Sequence, residues 1–287
     1  MKIIVTGNKG FLGSRLVRRL EENHTVIGLN RAVGDLSDYK AVHSFISEHK
    51  PEVVLHCAAI GDIGVCEDNK ELAYKSNYIA SINIASACAD NNCRMIYISS
   101  DQVYDGFTKE PITELTETNP NNYYGKLKRE AEKAIQAIVP KSHIARIGWQ
   151  YDWYYDGVKD DSRGGLLAQI GEAVAHNRQI HCSTNSYQYI CYVQDTIEAL
   201  TKMAEQAVPY GIYNIAQETE KSMAEIFIFA MRSLGIDEET ITKLVRAEES
   251  DKPYNLCAKA YNLEMCGHRM PSFEEGFLRC IEEHRGN

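Results

Sequence analysis

The sequence predicts an α/β fold, a doubly wound parallel sheet with helices on both faces and a small C-terminal lobe. Short β-rich runs alternate with longer helical patterns through the first half. A glycine-rich turn joins the first run to the first helix, and the alternation breaks after Ile147. Such alternation builds right-handed βαβ units. Lys2–Thr6 reads as a strand, Phe11–Glu22 as a helix and Thr25–Leu29 as a strand. Asp38–His49 is a helix ended by Pro51, and Val53–His56 a buried strand. Asn69–Asp90 is a long helix rich in Ala, Ile and Leu, and Arg94–Ser99 the next strand. A helix from about Asn122 to Val139 stops before Pro140, and strand Ser142–Ile147 follows. Further helices are expected near 165–176, 194–206, 222–235 and 272–284, with short strands near Ile180 and Tyr213. The acidic segment 148–165 holds both tryptophans and has two readings, an anchored surface loop or a lid over a pocket.

Bulk composition removes several functions. A net charge of −9 argues against nucleic acid and anionic membrane as partners, because both need clustered positive charge. The nine cysteines are scattered without a CxxC, which suits free thiols in a reducing cytoplasm. The chain opens directly on a strand-like run, so no signal peptide is expected, and no apolar run nears the length of a membrane span. No metal is expected: two cysteines with His56 or His181 have no zinc-like spacing.

Gly7, Gly10 and Gly13 stand at GxxGxxG spacing between the first strand and first helix. Gly7 permits the sharp turn, Gly10 a close approach to a pyrophosphate, and Gly13 tight packing of helix on sheet. The N–H groups of Phe11 and Leu12 then open the helix toward the anion. The pattern is that of a Rossmann dinucleotide site, with residues 1–150 as the NAD(P)-binding domain. Residues 151–287 are mostly a substrate-binding lobe, interleaved with the last sheet strands. An acid at the end of the second strand would bind a ribose 2′-hydroxyl, but this chain has Asn30-Arg31. A neutral amide followed by a guanidinium favours NADPH, with NADH the other candidate. Asp35 and Leu36 are candidates for the adenine edge, the aspartate equally for a helix cap.

Two Tyr-x-x-x-Lys pairs occur, Tyr124/Lys128 and Tyr155/Lys159. The second contains Gly157 and lies in the acidic segment. The first follows the helix-start signal Asn119-Pro120-Asn121-Asn122, so Tyr124 and Lys128 share a helix face. A free phenol has a pKa near 10, and a nearby ammonium is expected to lower it toward useful proton exchange. At the end of the fourth strand, Ser99 or Ser100 is placed to polarise a carbonyl.

These features combine with His56-Cys57-Ala58-Ala59, Ser99-Ser100-Asp101-x-Val103-Tyr104-Asp105-Gly106, Tyr124-Gly125-x-x-Lys128 and Arg146-x-x-Trp149. Together they resemble the extended short-chain dehydrogenase/reductase superfamily, and within it the dTDP-4-dehydrorhamnose reductase family. The likeness runs through nearly the whole chain and is strongest over residues 1–150. It implies NAD(P)H-dependent reduction of a 4-keto sugar nucleotide, as in dTDP-rhamnose biosynthesis. Ser100 matches the family's catalytic Ser/Thr, Tyr124 its acid and Lys128 its lysine. Asp101 and Trp149 match sugar-pocket positions, while Tyr104 is either there or in loop packing. Cys57, Ala58 and Ala59 match the cofactor border, and Asn77 the helix residue supporting the lysine through water or backbone. Asp195 matches a domain-anchoring acid. The superfamily also suggests a homodimer through helices Asn69–Asp90 and Asn122–Val139.

Two departures touch the sugar-recognition half. Ile190-Cys191-Tyr192 replaces a Pro-Thr-Tyr segment, and Tyr151–Gly165 replaces a short connection. Arg163 and Arg178 are candidates for a substrate diphosphate, or solvated charges. Dehydratases of this kind carry Asp-Glu after the catalytic Thr, and an amide such as Gln102 cannot serve as that base. Epimerases tend to be longer and hold NAD tightly. A non-catalytic regulatory subunit, like that of methionine adenosyltransferase, need not keep Ser100, Tyr124 and Lys128 together.

Overall fold

The computed structural model describes residues 1–30, 34–107, 111–153 and 165–284. The first half runs β1 (Lys2–Thr6), α1 (Phe11–Leu20), β2 (Thr25–Leu29), α2 (Tyr39–His49), β3 (Val53–His56) and α3 (Ile63–Asp68). It continues through α4 (Lys70–Ala73), a π-helical turn (Tyr74–Ile79), α5 (Ala80–Asp90), β4 (Arg94–Ser100), α6 (Tyr123–Ile138) and β5 (Ser142–Ile147). Then follow β6 (Trp149–Tyr151), α7 (Leu166–His176), β7 (Ile180–Ser183), β8 (Tyr187–Gln188), β9 (Ile190–Tyr192), α8 (Val193–Ala204) and β10 (Gly211–Ile215). The chain ends with α9 (Met223–Ser233), α10 (Glu238–Leu244), β11 (Val245–Glu248), β12 (Asn255–Leu256), α11 (Tyr261–Met265) and α12 (Phe273–His284).

Six parallel strands form the central sheet in the order β10-β5-β4-β3-β1-β2. Alternate residues of each strand face opposite sides. Ile3, Val5, Leu55, Ile96 and Ile98 pack under α1 and α8, while Ile4, Val54, Met95 and Tyr97 pack under α2, α5 and α6. Because β2 and β3 flank β1 on opposite sides, the connections diverge at its C-terminal end. That divergence opens the crevice where ligands bind in such sheets.

A separate apolar core joins Leu167 and Ile170 of α7, Ile226 and Phe227 of α9, and Phe273 and Phe277 of α12. Tyr151 stacks on Tyr192 there at 5.8 Å between ring centroids. The returning β10 adds to the main sheet beside β5, from Gly211↔His143 to Ile215↔Ile147. Among the described residues no helix is long and apolar enough to cross a membrane.

The expected helix at Asn69–Asp90 differs in detail. Asn69 caps α4 through Leu72 N–H, and the π-helical turn then inserts Asn77 before α5. The π-helical turn runs on into α5 without a break in the helix, so the sequence reads as a single helix. Asp38, not Asp35, caps α2, accepting from Lys40 N–H at 2.9 Å and Ala41 N–H at 3.3 Å.

Candidate active site

The glycine turn closes on the crevice at the end of β1. Gly7 has φ of +65°, a left-handed conformation suited to glycine, and its N–H donates to Leu29 O at 2.9 Å. A Cβ on Gly7 would lie 2.9 Å from the Ala58 backbone, and one on Gly13 only 2.3 Å from Gly7 O. Both glycines are therefore required by the protein's own packing. Gly10 is exposed and meets only Gly7 O, at 3.3 Å, so protein atoms do not fill the space before it. No side chain caps α1, and its first turn carries no acid. An open glycine and uncapped N–H groups at Phe11 and Leu12 fit a pyrophosphate. Gly13→Ala is expected to cost about 1–3 kcal/mol through overpacking, read as a lower urea midpoint.

Asn30 donates to Asn8 Oδ1 at 3.0 Å, and Asn8 lies against Gly28, where a Cβ would sit 1.9 Å from its amide nitrogen. The end of β2 thus presents an amide pair in place of a carboxylate. Arg31 lies outside the described residues, as do Tyr155, Lys159, Arg163 and most of the 151–165 segment. Asp35 holds the turn ahead of α2, accepting from Ser37 N–H and Oγ at 2.9 Å. With Leu29, Gly34, Leu36, Val42 and Phe45 it borders a small recess.

One face of α6 reads three consecutive residues of β4. Asn122 caps the helix at Gly125 N–H, 2.8 Å, and spacing of four places Tyr124, Lys128 and Glu132 in line. Tyr124 hydrogen-bonds Ser100. Lys128 donates to Ile98 O at 2.7 Å and lies 5.7 Å from the Tyr124 ring centre. Ser99 donates to Glu132, whose carboxylate pairs with Arg146 at 2.7 Å, both side chains buried. Glu132 was missed in the sequence, although it stands one further helical step along the face that identified the Tyr/Lys pair.

The electrostatics differ from expectation at Tyr124. Burial pushes its phenol up, the Ser100 hydrogen bond opposes this, and the Asp101 charge adds to the rise. At neutral pH the group is a protonated acid. Burial pulls Lys128 down to about 8. Asp101 is buried and its carboxyl is raised by desolvation, opposed by hydrogen bonds from Ser100, Gln188 and Gln102. Ser100 donates to Asp101 Oδ1 at 2.9 Å, so its proton points at that carboxylate.

Behind the site runs a second polar chain with a fixed direction. Ser81 donates to Asn77 O at 2.8 Å, so it accepts from His56 Nε2 at 3.0 Å. His56 Nδ1 must then accept from Thr6 Oγ1 at 2.7 Å, and Thr6 accepts from Ala58 N–H at 3.2 Å. Burial, with Lys128 nearby, holds His56 neutral with a pKa lowered to about 3. Asn77 grips Ile60 through both backbone groups, at 2.7 and 2.9 Å. It therefore braces the loop containing Cys57, Ala58 and Ala59, while Lys128 is braced by Ile98.

Other residues fall elsewhere. Tyr104 is 2% exposed, and its hydroxyl joins Arg146, Asn214 and Thr113 O at 2.8, 2.8 and 3.2 Å. Of its two expected placements, the geometry is that of packing. Trp149 is half-buried on β6, 6.4 Å from Phe227 between ring centroids. Asp195 bonds Gln217 at 2.7 Å and pairs with Arg279, tying α8 to α12. Arg178 is exposed beyond the end of α7. Arg15 of α1 pairs with buried Asp152 at 2.6 Å and donates to Trp153 O at 2.9 Å. No sequence spacing linked these residues, which lie 137 positions apart.

The model of the RmlD substrate binding domain matches residues 1–285. A crystal structure of a dTDP-4-dehydrorhamnose reductase from Clostridium acetobutylicum ATCC 824 is similar, with TM-score 0.86, 28% identity and 99% of both chains covered. The probable low-salt glycan biosynthesis reductase Agl14 of Haloferax volcanii is 33% identical over 96% of this chain and 95% of its own. Methionine adenosyltransferase 2 subunit beta of Xenopus tropicalis is 29% identical over 74% of this chain and 66% of its own. Matched from its first strand into its last helix, the chain belongs to the RmlD substrate binding domain family.

Proposed function

We propose that this protein is an NAD(P)H-dependent reductase of a 4-keto sugar nucleotide. The observation carrying this reading is the buried Ser100–Tyr124–Lys128 group at the crevice end of β4, beside an open glycine cradle. Phe11 and Leu12 N–H groups would hold the pyrophosphate, Asn30 and Arg31 the adenosine ribose, and Asp35 and Leu36 the adenine edge. The loop Cys57–Ala59, braced by Asn77, would border the nicotinamide, with Lys128 at its ribose. When bound, the nicotinamide supplies a hydride to the sugar carbonyl carbon. Tyr124, kept protonated by burial, donates a proton to the carbonyl oxygen. Ser100 would turn its proton from Asp101 to that oxygen and so orient it, and Lys128 stabilises the phenolate left behind. Asp101 and Trp149 would line the sugar side, with residues 151–287 supplying most of that wall. Nine free thiols suit a reducing cytoplasm.

The pH dependence follows from Lys128. Its ammonium is present in the folded protein below about 8 and in the unfolded chain to about 10.5. The rate is expected to fall as pH rises through 8, because the charge stabilising the phenolate is lost. Stability changes in the opposite sense. Between pH 8 and 10.5 the unfolded chain binds the extra proton, so this group's contribution to stability rises with pH. Urea midpoints measured across that window should rise for the wild type relative to Lys128→Met.

The test is NADPH and NADH oxidation against a panel of 4-keto dTDP-, GDP- and UDP-sugars. Turnover of one of them, with NADPH preferred, is the expected result. The likeness to methionine adenosyltransferase 2 subunit beta favours a second reading, a non-catalytic dinucleotide-binding subunit. Clean cofactor binding with no turnover anywhere on the panel would select it.

A further inference from the structure

A chain of side-chain amides leads from the α6 cap to Asp101, and its direction is fixed at the start. Asn122 uses its oxygen to accept from Gly125 N–H, so its NH2 donates to Gln102 Oε1 at 2.9 Å. Gln102 then turns its own NH2 to Asp101 Oδ1 at 3.4 Å. On the other carboxylate oxygen, Gln188 Nε2 donates from β8 at 2.8 Å. An ionised carboxylate only accepts, so Gln188 presents its NH2 to Asp101 and turns its carbonyl oxygen elsewhere. Among the described residues that oxygen has no partner, and it is not among the buried atoms lacking one. Gln188 is half-buried, and it reaches Asp101 from the second half of the chain. Asp101 accepts from Ser100 and acts electrostatically on Tyr124, so Gln188 stands two hydrogen bonds from Ser100.

We propose that Gln188 determines substrate specificity, its carbonyl oxygen accepting from the sugar hydroxyl beside the reacting carbonyl while Asp101 fixes its orientation. This deepens the reductase reading and rests on it. An oriented acceptor rewards a donor hydroxyl and is left unpaired when the hydroxyl is missing. Because Gln188 is half-buried, the expected discrimination is about 10- to 100-fold in kcat/KM, below that of a fully enclosed site.

The experiment compares dTDP-4-keto-6-deoxyglucose with its 3-deoxy analogue, or the GDP or UDP pair if the panel selects that nucleotide. Gln188→Met removes donor and acceptor at similar length. Gln188→Lys keeps a donor for Asp101, now as an ammonium, and removes the acceptor, and it decides the matter if the Met variant does not fold. The wild type is expected to prefer the hydroxylated substrate by that factor. Both variants should turn over the two substrates at nearly equal kcat/KM, with the KM for NADPH unchanged. Equal use of both substrates by the wild type, or an undiminished preference in Gln188→Lys, would overturn the assignment while leaving the reductase reading intact. No turnover of any keto sugar nucleotide by the wild type would remove the reductase reading, and this inference with it.

Discussion

Tyr124→Phe is expected to lower kcat for keto-sugar reduction by about 10²–10⁴-fold while leaving NADPH affinity unchanged. The phenol is the only group in the Ser100–Tyr124–Lys128 set that is held protonated by burial and also hydrogen-bonded to the serine. Phenylalanine keeps the ring that packs with Ile60, Cys66 and Leu127, so the helix face is preserved and only the proton is lost. Steady-state NADPH oxidation and a fluorescence titration of the cofactor measure the two quantities separately. Wild-type kcat in this variant would remove Tyr124 as the acid.

Glu132→Ala is expected to destabilise the protein by about 3–5 kcal/mol, because it leaves the Arg146 guanidinium buried without its partner. Arg146 Nε and Nη2 both reach Glu132, with contacts from 2.7 to 3.3 Å, and Nη1 reaches Tyr104. The pair joins α6 to β5 directly beneath Ser99, so its loss loosens the strand end that carries Ser100. Replacing both members with apolar residues, Glu132→Leu with Arg146→Met, should recover most of the loss, since no buried charge then remains. Urea denaturation of the single and double variants measures this. A single variant as stable as the wild type would show that the pair contributes nothing.

The first half of the fold was legible because its strands and helices are long enough to display their periods. Helix spacing located Tyr124 and Lys128 and separated them from Tyr155/Lys159. Strands of two or three residues, such as β6, β8 and β9, show no period, and these carry Trp149, Gln188 and the Ile190–Tyr192 segment. The amide chain through Gln102 and Gln188 was illegible for the same reason, since Gln188 meets Asp101 across 87 positions. The raised phenol at Tyr124 was misjudged because a local motif does not show burial, which dominates there, with the Asp101 charge adding to the rise. Residue patterns report which groups share a face; desolvation depends on what the rest of the chain packs over them.

Transfer of deuterium from (4-²H)NADPH into the product sugar tests the central claim most directly, when both faces of the labelled nicotinamide are assayed in separate reactions. One deuterium is expected on the former carbonyl carbon from one of the two labelled cofactors, with wild-type protein and the substrate chosen by the panel. NADPH bound at the glycine cradle, with no deuterium on any sugar carbon from either label, would contradict it.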